Sequence, residues 1–159
     1  QHSHGMELLV LRFGFKSLIK TCIKSMFLQP KRSKFKKTHK GKLKNLELKK
    51  NKMKFGLIGL KTTESGVISA KHLEAARQAI MRKSKRKGKL WIRVFPDLPI
   101  STKPIETRMG KGKGAVKYWA ARIKSGTVLF ELCGISIKNA CLAFKTGGAK
   151  IPVKTKIFT

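Results

Sequence analysis

Acidic residues are scarce in this sequence, which has 7 Asp and Glu against 38 Lys and Arg and a formal net charge of +31 over 159 residues. A protein with this excess repels itself and adsorbs to polyanions. We therefore expect a partner of comparable negative charge, nucleic acid first and an anionic membrane surface second. Hydrophobic residues still make up 41% of the chain, which is enough for the core of one domain and excludes disorder over the whole length.

Cysteine is also scarce. The three cysteines, Cys22, Cys133 and Cys141, are odd in number and form no CxxC pair, and the four histidines do not complete a zinc-ligand spacing. This pattern argues against a secreted disulfide framework and against a zinc site. We expect reduced thiols, with Cys133 and Cys141 in or near the core, and neither a metal nor another cofactor.

The few acids do not form a catalytic constellation. They are scattered along the chain, and their spacing suggests no Ser/His/Asp or Cys/His arrangement. We therefore expect no catalytic residues and no enzymatic activity. The rival interpretation, an enzyme acting on RNA, would depend on acids such as Asp97 or Glu106.

No apolar stretch is long enough to cross a bilayer, because the run from Leu8 to Leu11 is short and basic residues interrupt the segment after it. Residues 1–28 form instead a basic, roughly amphipathic extension, in which apolar residues from Leu11 to Cys22 recur at helical spacing. This segment is similar to a mitochondrial presequence. The alternatives are an extension helix packed on a neighbour and a peptide that binds a membrane surface.

Residues 29–56 form a Lys-rich arm. Between Lys31 and Lys54 there are 12 Lys and Arg and a single acid, Glu47. Such a block cannot collapse on its own charge, so we expect an extended or irregular arm until an anion neutralises it. Lysines bind phosphates without regard to sequence, which favours contact with an RNA backbone. We expect the interleaved Phe35 and Phe55 to pack on the domain, with stacking on unpaired bases as the alternative.

Residues 57–159 form the globular domain. Glycines predict turns over residues 57–68. A helix should begin after the N-cap Ser69 and stop near Gly88, with a cluster of cations in its last turns, part of which faces an external anion. The segment KLWIRVF, residues 89–95, predicts a strand covered on both faces apart from Arg93. We expect Trp91 and Trp119 in the core.

The sequence of the second half of the domain predicts further strands and one helix. The runs 115–123 and 127–133 surround a short Gly-containing connection, which predicts a β-hairpin. A helix is expected over residues 136–146, with Ala140, Ala143 and Phe144 facing the core. Gly147 and Gly148 are expected to end this helix. Residues 151–158 predict an edge strand, because Pro152 cannot donate to a ladder. The layout is α+β, a sheet with helices against it.

A Gly-rich loop, RMGKGKG, occupies residues 108–114. It fits neither a phosphate-binding Walker loop nor a dinucleotide fingerprint. Glycines nevertheless let backbone amides approach an anion closely, and the interleaved cations add charge. The composition favours a nucleic-acid contact over a plain surface turn.

Three segments resemble a known family: LQPKRSKFKKTHKGK (28–42), the stretch 74–119 with its WIRVFPDLPI and RMGKGKG motifs, and KIPVKTKIF (150–158). They are similar to the bacterial-type large-subunit ribosomal protein L-sixteen family. The resemblance implies an α+β sandwich of mostly antiparallel strands and two main helices, with a basic extended N-terminal arm. It also implies binding to large-subunit rRNA beside the A site, near the peptidyl transferase centre, and to neighbouring large-subunit proteins.

The resemblance and the basic composition together assign two sets of residues. The residues expected to bind rRNA are Lys31, Arg32, Lys34, Lys36, Lys37, His39, Lys40, Lys42, Arg82, Lys83, Lys85, Arg86, Lys87 and Arg93. The loop expected to face A-site tRNA, with P-site tRNA as a further candidate, is Arg108, Met109, Gly110, Lys111, Gly112, Lys113 and Gly114.

The sequence departs from the family pattern in three places. Residues 1–26 precede the usual start of the family, residues 43–56 replace a Gly-rich stretch with lysines, and residues 136–148 keep only a helical pattern. These departures favour a mitochondrial member, with a plastid or the bacterial cytoplasm as alternatives. A basic protein that packages nucleic acid without belonging to a ribosome is the remaining rival.

Overall fold

The computed structural model describes residues 28–41, 43 and 45–159. The elements in chain order are β1 Ile58–Thr62, β2 Gly66–Ser69, α1 Ala70–Lys83, β3 Lys89–Ile92, β4 Leu98–Thr102, β5 Ala115–Ile123, β6 Val128–Cys133, α2 Ile137–Gly148 and β7 Thr155–Phe158. Nearly all of the proposed amphipathic extension, together with Lys42, lies outside the described residues.

The strands form two antiparallel sheets. One has the order β3-β6-β1-β7 and the other the order β2-β5-β4. The helices α1 and α2 pack on each other, α1 also contacts β2 and β5, and α2 also contacts β1 and β7. The predicted α+β class, with mostly antiparallel strands and two main helices, is confirmed.

The core is shared by both sheets and both helices. Its buried side chains include three on α1 and the three that were predicted to face inward on α2. They are Leu73, Ala76, Ile80, Ala140, Ala143 and Phe144, and they meet Leu60, Ile68, Ile123 and Phe130 from the sheets.

The predicted hairpin between β5 and β6 is wrong. The strand β5 pairs with β2 and β4, whereas β6 pairs with β1 and β3, so residues 124–127 cross from one sheet to the other. The backbone N–H of Gly126 donates to the carbonyl of Thr62 at 2.7 Å, which ties this connection to the end of β1. The side chains of Val128–Leu132 are all buried, so both faces of β6 are covered, and within its sheet β6 lies between β3 and β1.

The predicted turns over residues 57–68 are also wrong, since β1 and β2 occupy this stretch. Its glycines are required by side chains from distant parts of the chain. A Cβ on Gly59 would lie 2.6 Å from the Phe158 ring, and a Cβ on Gly66 would lie 2.7 Å from Val153 Cγ2. A close approach of this kind favours glycine inside a strand.

Both helices differ from prediction at their C-terminal ends. The Ser69 hydroxyl accepts from the His72 N–H as expected, but α1 ends at Lys83, where Ser84 caps it. The helix α2 continues through Gly147 and Gly148, which were expected to end it. A Cβ on Gly147 would lie 2.8 Å from Ile80 Cδ1, so this glycine allows α1 and α2 to approach.

Two strands are shorter than predicted. The strand β3 covers Lys89–Ile92 and not the full 89–95, and its apolar residues are half-buried. The strand β7 covers Thr155–Phe158, and Pro152 precedes it. The expected edge position of the last strand is confirmed, because β7 pairs only with β1.

Candidate nucleic-acid interface

The first half of the arm, residues 31–41, is irregular and exposed. Every basic side chain predicted there lies on the surface, and among residues 31–40 only Thr38 is half-buried. Phe35 keeps 64% of its surface exposed beside the Lys34 ammonium. The expectation that Phe35 packs on the domain is therefore wrong, and its ring is open to a ligand.

The second half of the arm is fixed to the domain by backbone hydrogen bonds. The Glu47 N–H donates to the Ser125 carbonyl at 2.9 Å, and the Val128 N–H donates to the Lys50 carbonyl at 3.0 Å. The arm is thus anchored at its C-terminal half and presents its N-terminal half to solvent.

Glu131 is the anchor where the arm enters β1. Its carboxylate is fully buried in β6 and accepts the backbone N–H groups of Lys54, Phe55 and Gly56, at 2.7 Å for Phe55 and 2.9 Å for Gly56. The guanidinium of Arg93 donates to Oε1, which also accepts from the Lys54 N–H, and forms an ion pair with the carboxylate. Burial by itself would raise the pKa of Glu131, but these hydrogen bonds outweigh it and hold the pKa below its usual range.

Arg93 thus differs from the other cations that were predicted to bind rRNA. Its side chain is only 11% exposed, it is paired with Glu131, and its guanidinium lies 5.4 Å from the centre of the Phe55 ring. Phe55 in turn stacks on Trp91 with ring centres 6.0 Å apart. Phe55 therefore contacts the domain as expected, through Trp91 and Arg93, although 57% of its surface stays exposed. Trp91 and Trp119 are half-buried at the edge of the domain and not in the core.

The structural role of Glu131 could not be deduced from scattered acids. The signal available in the sequence is an acid in the middle of the apolar run TVLFELC. A carboxylate inside a central strand needs several donors. In the sequence alone, Glu131 is one of several scattered acids that form no catalytic constellation.

The Gly-rich loop lies between β4 and β5. Three consecutive residues adopt the left-handed backbone, Gly110 at φ 92°, Lys111 at φ 49° and Gly112 at φ 80°. Residues 108–113 are exposed, and Met109 keeps 96% of its surface accessible. The Lys103 ammonium donates to the Gly110 carbonyl and closes the turn.

The loop and the arm meet. The Lys37 ammonium donates to the Lys113 carbonyl at 2.6 Å, and the Lys113 ammonium donates to the Thr38 carbonyl. The structure therefore brings together two sets of cations that are about 75 residues apart in sequence. Nothing in the sequence pattern predicted this contact, because its acceptors are backbone carbonyls.

The third basic cluster lies after α1. Arg82, Lys83, Lys85, Arg86 and Lys87 are exposed, but only the first two belong to the helix. Lys85 and Arg86 adopt positive φ angles of 51° and 59° and turn the chain toward β3. Within the part of the chain that the structure describes, no hydrogen bond joins this cluster to the arm or to the loop.

Other kinds of site find little support. Over residues 28–41, 43 and 45–159, no group of His, Cys, Asp and Glu is arranged to hold a metal ion. None of the helices in this same region has the length and apolar character needed to cross a membrane. Cys133 and Cys141 are free thiols and half-buried, so they lie near the core as predicted.

Comparison with known proteins identifies the family. Residues 30–158 match the family described as ribosomal protein L16p/L10e. The chain is 51% identical over 132 residues to the large ribosomal subunit protein uL16 of Acidiphilium cryptum, covering 83% of this chain and 96% of that protein. It is 54% identical over 128 residues to the uL16 of Buchnera aphidicola subsp. Cinara cedri, covering 80% and 93%.

A basic, exposed surface on a small α+β domain is typical of proteins that bind nucleic acid. The matches go further, and the chain belongs to the ribosomal protein L16p/L10e family. This confirms the resemblance read from the sequence. Membership also confirms that the protein has a structural role in the ribosome and is not an enzyme.

Proposed function

We propose that this protein is a constituent of the large ribosomal subunit that binds large-subunit rRNA through its arm. The observation that carries the proposal is a set of exposed cations within residues 31–40, to which no carboxylate of the described residues is paired. Phosphates of crowded rRNA helices supply the missing anions. Neighbouring large-subunit proteins complete the environment.

We further propose that the Gly-rich loop faces A-site tRNA, with P-site tRNA as a further candidate. The loop is exposed, carries Arg108, Lys111 and Lys113, and has a backbone that Gly110 and Gly112 let turn sharply. A positive, narrow loop of this kind can approach a sugar–phosphate backbone closely. The exposed cluster Arg82–Lys87 gives rRNA a second surface.

The test of the rRNA proposal is sedimentation on a sucrose gradient followed by mass spectrometry. The full chain is expected to co-migrate with large subunits, and deletion of residues 31–42 should impair its incorporation. Substituting the exposed Lys156 on β7 by Gln is the matched control, because it removes one charge away from the arm. Normal subunit yield from the deletion variant would overturn the proposal, as would equal affinity of the full chain for duplex DNA and rRNA.

The tRNA proposal needs a different measurement. Replacing Lys111 and Lys113 by Ala should leave incorporation into the subunit largely intact and weaken A-site tRNA binding. Filter binding of tRNA to reconstituted subunits measures this directly, again with Lys156→Gln as the control. Unchanged tRNA affinity would remove the loop from the proposed site.

For the compartment, we propose the mitochondrial matrix, on the basic amphipathic pattern of residues 6–28. The alternatives are a plastid and the bacterial cytoplasm, and the relatives in Acidiphilium and Buchnera are bacterial proteins. Mass spectrometry of ribosomes from fractionated cells distinguishes these compartments. Recovery of the chain only from cytoplasmic ribosomes would reject the mitochondrial placement.

A further inference from the structure

The contact between arm and loop involves two ammonium groups, both on exposed side chains. Lys37 reaches across to the backbone of Lys113, and Lys113 reaches back to the backbone of Thr38. The two bonds are reciprocal, so each lysine joins its own segment to the backbone of the other. Two cations from distant parts of the chain thus belong to one contact between arm and loop.

These cations have unused binding capacity. A lysine ammonium has three N–H donors, and each of these two uses one on a carbonyl. The ion pairs of the described residues involve Glu74, Glu131 and Glu64, and none of them includes Lys37 or Lys113. Like charges in proximity repel each other, and a shared anion relieves that repulsion.

The surface beside this pair is open. A Cβ built on Gly110 or Gly112 would meet nothing within 4 Å. Both glycines have positive φ, so their role is to shape the loop and not to accommodate a packed neighbour. A nucleic-acid strand therefore has room to approach the loop on the side that these glycines expose.

We propose that Lys37 and Lys113 together hold one phosphate of a single RNA strand, so that arm and loop bind the same RNA segment. The inference rests on the proposed function and deepens it, because the sequence assigned rRNA to the arm and tRNA to the loop separately. The shared phosphate couples the two, and rRNA bound by the arm fixes the position of the loop.

The test is a double-mutant cycle on the full chain with Lys37→Gln, Lys113→Gln and the double variant. Affinity for a large-subunit rRNA transcript is measured against salt concentration. The plot of log K against log salt has a negative slope, and removing one phosphate contact should reduce its magnitude by roughly 0.7 to 0.9. One shared phosphate predicts that the slope of the double variant falls by roughly 0.7 to 0.9 in total, whereas two separate phosphates predict roughly twice that decrease.

A second pair, Lys37→Gln with Lys156→Gln, is the control and should give additive slopes. The conservative double variant Lys37→Arg with Lys113→Arg keeps both charges and should retain the wild-type slope. Additive decreases for the 37/113 pair, or an effect of Lys113→Gln on tRNA alone, would overturn the shared phosphate. A wild-type chain with no salt-dependent rRNA binding would instead overturn the proposed function itself.

Discussion

The domain core and the arm–loop surface handle charge in opposite ways. In the core, the Glu131 carboxylate is wholly buried and takes three backbone N–H groups and the Arg93 guanidinium. At the surface, the hydrogen bonds that the Lys37 and Lys113 ammonium groups make within the described residues go to backbone carbonyls. The domain thus satisfies the charge of its buried carboxylate internally, whereas the cations of the arm–loop surface stay exposed to solvent and free to bind the anion that we propose.

The two regions should therefore respond to different measurements. A change in the core alters the free energy of unfolding and leaves the salt dependence of RNA binding nearly unchanged. A change at the arm–loop surface alters RNA affinity with little effect on unfolding, because exposed lysines contribute little to the stability of the free protein.

The largest expected effect is that of Glu131→Gln. The amide keeps the size of the side chain but leaves Arg93 without an ion-pair partner and presents an NH₂ group to backbone donors, so we expect a loss of about 3 kcal/mol in the free energy of unfolding. Urea denaturation measures this loss. Because a single amide oxygen must replace the two that accept from residues 54–56 and Arg93, proteolysis within the arm should also become faster. A variant as stable as the wild type would show that Glu131 is not the anchor.

Next in size is Gly147→Ala. The added methyl would be forced against Ile80 where α1 and α2 cross, and overpacking outweighs the gain in helix propensity, for a net loss of about 1 to 2 kcal/mol. Thermal or urea unfolding measures it. Asn139→Ala, on an exposed position of the same helix, is the control and should change stability by at most about 0.5 kcal/mol. Equal effects of the two variants would contradict close packing at the crossing.

The sequence predicted what local chemistry determines. The hydroxyl of Ser69 caps α1, and the spacing of Ala140, Ala143 and Phe144 defines the buried face of α2. Both features depend on neighbours within a few residues in the chain. The exposed lysines of the arm are predicted by composition in the same way, because so many charges cannot be buried.

The features that the sequence missed depend on contacts between distant residues. Position 59 of the strand β1 is a glycine because the Phe158 ring occupies the space of a side chain there. No local signal in the sequence distinguishes this glycine from a turn glycine. The predicted hairpin between β5 and β6 is wrong because two successive apolar runs have the same sequence pattern whether they pair with each other or enter different sheets. The contact between Lys37 and Lys113 was missed for a third reason, since any backbone carbonyl can accept from an ammonium.

A smaller effect should appear in acid. The pKa of Glu131 is lowered in the folded protein, so its contribution to stability is complete above the unfolded-state pKa of about 4.3 and is lost as the pH falls through the folded value. The difference in unfolding free energy between wild type and Glu131→Gln should thus be constant near neutrality and shrink below about pH 4.3. Glu74, whose pKa is also lowered, mainly by its hydrogen bond from Arg77, is common to both proteins and cancels. A difference that stays constant to about pH 3 would contradict this linkage.

The smallest expected effect tests the other side of the comparison, that ion pairs at the surface contribute little. Glu64 and Lys154 form a pair with Oε1 and Nζ 3.0 Å apart, but their side chains remain 52% and 81% exposed. Water screens such a pair, so Glu64→Gln should change the free energy of unfolding by at most about 0.5 kcal/mol, and less in about 1 M salt. The same urea denaturation as for Glu131→Gln measures it, which makes the two variants a matched set of one buried and one exposed carboxylate. A loss from Glu64→Gln as large as that from Glu131→Gln would show that burial does not explain the difference between the two regions. The contrast between a core that pairs its own charge and an exposed surface that pairs with an external anion would then be wrong.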